Sequence, residues 1–149
     1  MRSGVGLLFL SMALCSGWAA VGEPAASERG RRLFDGELPL RSRVAGHTSP
    51  LPPQAGRCVN CHVAGSAGPT VSASAATRSF GPLITAEMLT QALARRGGPP
   101  SRYDEAALCR LLATGVDPAD VIIASNMPRY EMSATDCHAL WTYLIRPGR

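Results

Sequence analysis

Residues 58–62 read Cys-Val-Asn-Cys-His, and no other stretch narrows the possibilities for this chain as much. Three readings of the two cysteines compete. Half of a zinc site is one, but structural zinc takes four ligands and the sequence holds no second paired cluster. A redox dithiol is another, expected beside a strand–helix unit in a chain that shows little strand pattern. The third is the attachment signature of c-type haem, with Cys58 and Cys61 as thioether donors and His62 as the proximal iron ligand. The spacing has a physical logic. Both sulfurs must reach one porphyrin edge, and the next residue turns under the ring onto the metal. Five positions can match by chance, so the remaining sequence must decide.

Met1–Ala26 reads MRSGVGLLFLSMALCSGWAAVGEPAA. Arg2, the apolar run from Val5 to Cys15 and the small residues after it have the form of a secretory leader over residues 1–20, cleaved between 19 and 22. A lipoprotein reading through Cys15 is weaker, because Leu14 stands where a small residue is wanted. The apolar run is too short to span a bilayer, and no later stretch is longer. Residues 21–149 are enough for one domain. Export places the protein in the periplasm or outside the cell, where disulfides persist. Of five cysteines, Cys15 leaves with the leader and two belong to the haem motif. A Cys109–Cys137 bridge is then the simple expectation, and two small buried thiols are the alternative. All fifteen basic residues are arginines, set against eleven acidic ones, for a formal net charge of +4 that falls by one with Arg2. No concentrated basic patch of the kind that binds nucleic acid is visible. Aromatic residues make up only 5%, so a large aromatic core is excluded and a buried haem would supply the missing apolar volume.

The rest of the chain reads as helices separated by turn-formers. Ser27 is the expected N-cap of a helix ending at Asp35–Gly36. Glu37–Arg57, rich in Pro, Gly and Arg, reads as an irregular insertion over about 36–57. A helix is predicted from Thr85 to Arg95, stopped by Gly97–Gly98. Ser101 and Asp104 form an expected capping box before a helix with Ala107, Leu108, Leu111 and Leu112 on one face, ending at Gly115. Ser133 and Asp136 cap a last helix, Ala134–Ile145, before Pro147. The predicted fold class is all-α, a small helical domain wrapped around one covalently bound haem.

Three anchors in this order resemble the class I (monohaem) cytochrome c family: Gly-Arg-Arg-Leu-Phe at 30–34, the haem motif at 58–62, and the stretch MPRYEMSATDCHALWTYL from Met127. The resemblance covers roughly residues 27–35 and 56–145. It implies that the first and last helices cross at Gly30, Phe34, Leu140 and Tyr143, where a missing side chain lets backbones meet. It also implies that Met127, before Pro128, is the distal iron ligand, with Met132 as rival. A thioether favours ferrous iron and raises the potential. The insertion at 36–57 departs from the family, whose connection there is shorter. The proline whose carbonyl would brace His62 is Pro69 or Pro82, with the Gly81–Pro82–Leu83 stretch nearer the family pattern. His47 is a weak distal candidate, His138 reads as surface, and Arg57 and Arg78 are candidates for the haem propionates.

The implied function is that of a periplasmic electron carrier with haem c as its single cofactor, not an enzyme. Its partners would be transient redox proteins: a dehydrogenase, an oxidase or another cytochrome. The alternative is a haem subunit of a dehydrogenase complex, or a gas-binding or sensing protein whose distal ligand is labile.

Overall fold

The computed structural model describes residues 22–65 and 80–147. The leader, Pro69 and Arg78 lie outside the described residues. Four α-helices, one 3-10 turn and two small two-stranded antiparallel sheets make up the described architecture. The all-α expectation is therefore wrong, and the fold is mixed α and β.

Helix α1 spans Glu23–Asp35. It begins earlier than Ser27 because Pro24 occupies its first turn, where the absent N–H costs nothing and the fixed φ suits a helix. Ser27 is buried within the helix and does not cap it. The helix ends at Gly36, whose φ of 78° is the left-handed cap. Ala26, Gly30, Leu33 and Phe34 form its buried face. That face meets the last helix, α4 (Ala134–Leu144), whose N-cap Ser133 accepts from the Asp136 amide at 3.0 Å. At the crossing, a Cβ on Gly30 would collide with the Ala139 carbonyl oxygen and stand 2.6 Å from the Tyr143 Cβ. The Phe34 and Tyr143 rings lie 5.8 Å apart, and Arg29 pairs with Asp136 at 2.6 Å.

The predicted helix from Thr85 to Arg95 is shorter. Helix α2 covers only Ala86–Thr90, capped by the Thr85 hydroxyl, which accepts from the Met88 amide at 3.0 Å. The chain then forms a hairpin of β2 (Leu93–Ala94) and β3 (Pro100–Ser101). Arg96 and Gly97 take φ of 47° and 79° between them, and the Gly98 amide donates to the Arg95 carbonyl at 2.7 Å. Two consecutive positive φ values give the mirror-image turn that suits twisted strands, so Arg96 and Gly97 make a hairpin turn where a helix stop was expected. Ser101 consequently lies in a strand. Helix α3 (Glu105–Thr114) is capped by Asp104 itself, whose carboxylate accepts from the Ala107 amide at 2.7 Å.

The insertion at 36–57 is not wholly irregular. Its β1 (Arg41–Arg43) pairs antiparallel with β4 (Arg129–Glu131), setting Ser42 opposite Tyr130. Neither Arg-Ser-Arg nor Arg-Tyr-Glu carries an apolar alternation, and each strand is held by a distant partner instead of local preference. Glu131 lies between Arg41 and Arg43, at 3.5 and 3.4 Å. The core comprises Phe34, Leu89, Tyr103, Leu108, Leu111, Leu112, Ile123, Tyr130, Leu140 and Leu144. Cys109 of α3 and Cys137 of α4 are joined by a disulfide with Cα atoms 5.9 Å apart. Among the described residues no helix is long and apolar enough to cross a membrane.

Candidate functional site

The cysteine motif forms a single tight turn. The carbonyl of Cys58 accepts from the amides of Cys61 at 3.1 Å and His62 at 2.9 Å, which winds the segment once and brings all three side chains to one cavity. Asn60 pins the turn from outside, donating to the Gln54 carbonyl at 2.7 Å and accepting from Arg57 at 3.2 Å.

His62 is oriented by a carbonyl. Its Nδ1 lies 2.9 Å from the oxygen of Pro82. A carbonyl can only accept, so Nδ1 carries the proton and Nε2 carries the lone pair that a metal needs. Of the two prolines left open by the sequence, Pro82 thus holds the ring. Gly81 makes the approach feasible: a Cβ there would collide with the His62 ring carbon Cε1 and lie 2.6 Å from Nδ1. The Gly81 amide donates to the Cys61 carbonyl at 2.7 Å, and Ala64 bridges Ile84, so the chain after His62 runs alongside 81–84.

The cavity measures about 490 Å³, within the usual range for small-molecule and cofactor sites. Helices α3 and α4 supply much of its apolar wall, through Leu108, Leu111, Leu112, Leu140 and Leu144. Met127 lines it with Pro128. Met132 packs against the core but does not line the cavity, which favours Met127 over its rival. His47 is exposed and does not line the cavity, although its amide donates to the carbonyl of Val44, which does, at 3.0 Å. His138 is a surface residue whose Nδ1 meets Glu105 at 2.9 Å. Arg57 does line the cavity.

Several residues of the site are absent from the sequence reading. Met88, Arg95, Arg96 and Tyr103 all contribute to the lining. The Arg95 guanidinium sits 4.9 Å over the Tyr103 ring, and its buried Nε has no hydrogen-bond partner among the described residues. Tyr130 donates its hydroxyl proton to the Gly56 carbonyl at 3.0 Å. That bond ties the strand after Met127 to the chain just before Cys58, so the two segments bearing the expected iron ligands are braced together. The signal for Tyr130 was its place three residues after Met127; nothing local marked Arg95.

The chemistry separates the three readings of the motif. Burial pushes the Cys58 thiol up to about 11. A reactive thiol is activated by the opposite shift, so this burial does not favour the redox reading. Among the described residues no group of three or more His, Cys, Asp or Glu side chains is placed to hold a metal ion by itself, as zinc would require. The haem reading fits. Two thiols and a lone-pair imidazole nitrogen share an apolar cavity, and Arg95 presents a buried N–H donor that an anionic propionate would satisfy.

No family model, no curated protein and no solved structure matches the chain.

Proposed function

We propose that the protein is an exported monohaem c-type cytochrome that carries single electrons. The carrying observation is the His62–Pro82 hydrogen bond at a cavity that Cys58, Cys61 and Met127 also line. Cys58 and Cys61 would hold the haem covalently, and His62 Nε2 and Met127 would bind its iron. The haem supplies an iron that exchanges one electron between its ferric and ferrous states. The chain's own residues do the rest. Pro82 aims the imidazole, the leucines of α3 and α4 exclude water, and Arg95 with Arg57 answers the propionates. With two protein ligands no coordination site is left for a substrate, so this is a carrier and not an enzyme. The leader-like residues 1–20 and the Cys109–Cys137 bridge both suit an oxidising, exported setting. Its partners would be redox proteins met in small, short-lived encounters.

The test is the absorption spectrum of the mature holoprotein, oxidised and reduced, with and without carbon monoxide, beside Met127→Ala. The expected wild type shows a far-red sulfur–iron band and ignores carbon monoxide, and the variant loses the band and binds the gas. Carbon monoxide binding by the wild type would overturn Met127 ligation and turn the assignment toward a gas-binding protein. Mass spectrometry of Cys58→Ala with Cys61→Ala should show loss of covalently attached haem; retention would refute the thioether assignment.

A further inference from the structure

Arg129 is the one arginine among the described residues classed as buried, 6% exposed, and no carboxylate among those residues forms an ion pair with it. A buried guanidinium without a counter-ion is costly, and an apolar side chain of similar volume would fill the space without that cost. What the arginine does there is hold backbone. Its Nη1 donates to the carbonyl of Met127 at 2.6 Å, and its Nη2 to the carbonyl of Ile123 at 3.4 Å. The two carbonyls stand at the ends of the segment 123–127, whose turn is closed by a long bond of 3.3 Å from the Met127 amide to the Ala124 carbonyl. The guanidinium lies against Gly115, the left-handed cap of α3, where a Cβ would collide with its Cζ. That position is the negative end of the helix dipole, which compensates the charge in place of a carboxylate. Ile123 is bonded to the same glycine, its amide donating to the Gly115 carbonyl at 2.8 Å.

We infer that Arg129 is a positioning residue that clamps the Met127 loop to the end of α3 and so keeps the Met127 sulfur on the iron. The inference rests on the proposed ligation by Met127. A thioether is a weak, neutral ligand that exchanges with outside ligands when its loop opens. The loop is short, carries Asn126 and Ser125 exposed, and has few bonds of its own. A charge-assisted bond to the ligand's own carbonyl therefore sets the open fraction. Losing it should raise that fraction roughly tenfold to a hundredfold, from the worth of a hydrogen bond to a charged group.

The experiment compares holoprotein of the wild type, Arg129→Met, Arg129→Lys and Ser133→Ala. Carbon monoxide association with the ferrous protein and the far-red band of the ferric protein are read, together with the thermal midpoint. Arg129→Met should bind carbon monoxide roughly ten times faster or more and weaken the band, and Arg129→Lys should fall between it and the wild type. Ser133→Ala, which removes the α4 cap at the Asp136 amide and none of the Arg129 bonds, should lower the midpoint and leave carbon monoxide binding unchanged. If Arg129→Met does not accumulate as holoprotein, Arg129→Lys carries the test, because a single ammonium cannot reach both carbonyls as the fork does. A wild-type band with unchanged carbon monoxide kinetics in the Arg129 variants overturns the clamp alone. So does a Ser133→Ala variant that opens the iron equally, since general stability would then explain the effect. A wild type that lacks the band and binds carbon monoxide freely overturns Met127 ligation, and the clamp falls with it.

Discussion

Replacing Gly30 by alanine tests the helix crossing on which the cavity wall depends. Two effects oppose each other. In the middle of a helix alanine is favoured over glycine by about 1 kcal/mol. Against this, the new methyl would run into the Ala139 carbonyl oxygen and lie 2.6 Å from both the Ala139 carbonyl carbon and the Tyr143 Cβ. None of these atoms can rotate away, since two are backbone and the third is fixed to it. The helices must separate by about an ångström, and overpacking of this kind costs ~3 kcal/mol at the upper end of its usual range. The net loss is then about 2 kcal/mol, or a fall in thermal midpoint of roughly 8 °C for a domain of this size. Far-UV circular dichroism during heating of the holoprotein measures it. Gly46→Ala is the control: its φ is +80° but none of the described residues lies within 4 Å of the new methyl, so the left-handed backbone strain of about 1 kcal/mol is the cost that applies. Because Phe34, Leu140 and Leu144 line the cavity, the Gly30 variant should also perturb the haem spectrum. A Gly30→Ala protein as stable as the wild type would refute the close crossing.

Three further outcomes follow from the structure. Gly81→Ala should displace the His62 ring and break its bond to Pro82, and a holoprotein with an unchanged reduction potential would show that this carbonyl does not orient the ligand. Replacing Cys109 and Cys137 together by alanine releases a link between residues 28 apart and should cost about 3–4 kcal/mol by loop entropy, read from denaturant midpoints; a loss below 1 kcal/mol would count against that account. Arg31 meets Glu28, Asp35 and Glu37, and its hydrogen bonds hold the Glu28 and Glu37 carboxyls below their ordinary 4.5. A lowered folded-state pKa gives stability that is present above the ordinary value and lost as pH falls through the lowered one, so Arg31→Ala should narrow its gap from the wild type in acid and not at neutral pH.

Cap chemistry explains why the helical ends were partly legible. Ser133 and Gly36 act through neighbours three or four residues away, so their roles are written locally and the folded chain keeps them. Where a local signal served a different partner, the reading failed. Gly97 turns a hairpin instead of stopping a helix, and Ser101 yields the cap to Asp104 because β3 claims it. The all-α expectation failed for the same reason on a longer scale, since β1 and β4 find each other across the whole domain without an apolar pattern to announce them.

For the candidate site the division is similar. Cys58, Cys61 and His62 are adjacent in the chain, so a single turn brings them together and their chemistry can be named from five letters. The Gly30 crossing was legible through a resemblance in ordered anchors, because only glycine fits where two backbones touch. Tertiary structure alone decided the choice of Pro82, the orphaned Nε of Arg95, the Tyr130 brace and the Arg129 clamp. Each of these joins a side chain to a backbone atom or an open space that belongs to another element. An arginine in an arginine-rich chain looks like any other until folding removes the water around it and leaves a carbonyl as its partner.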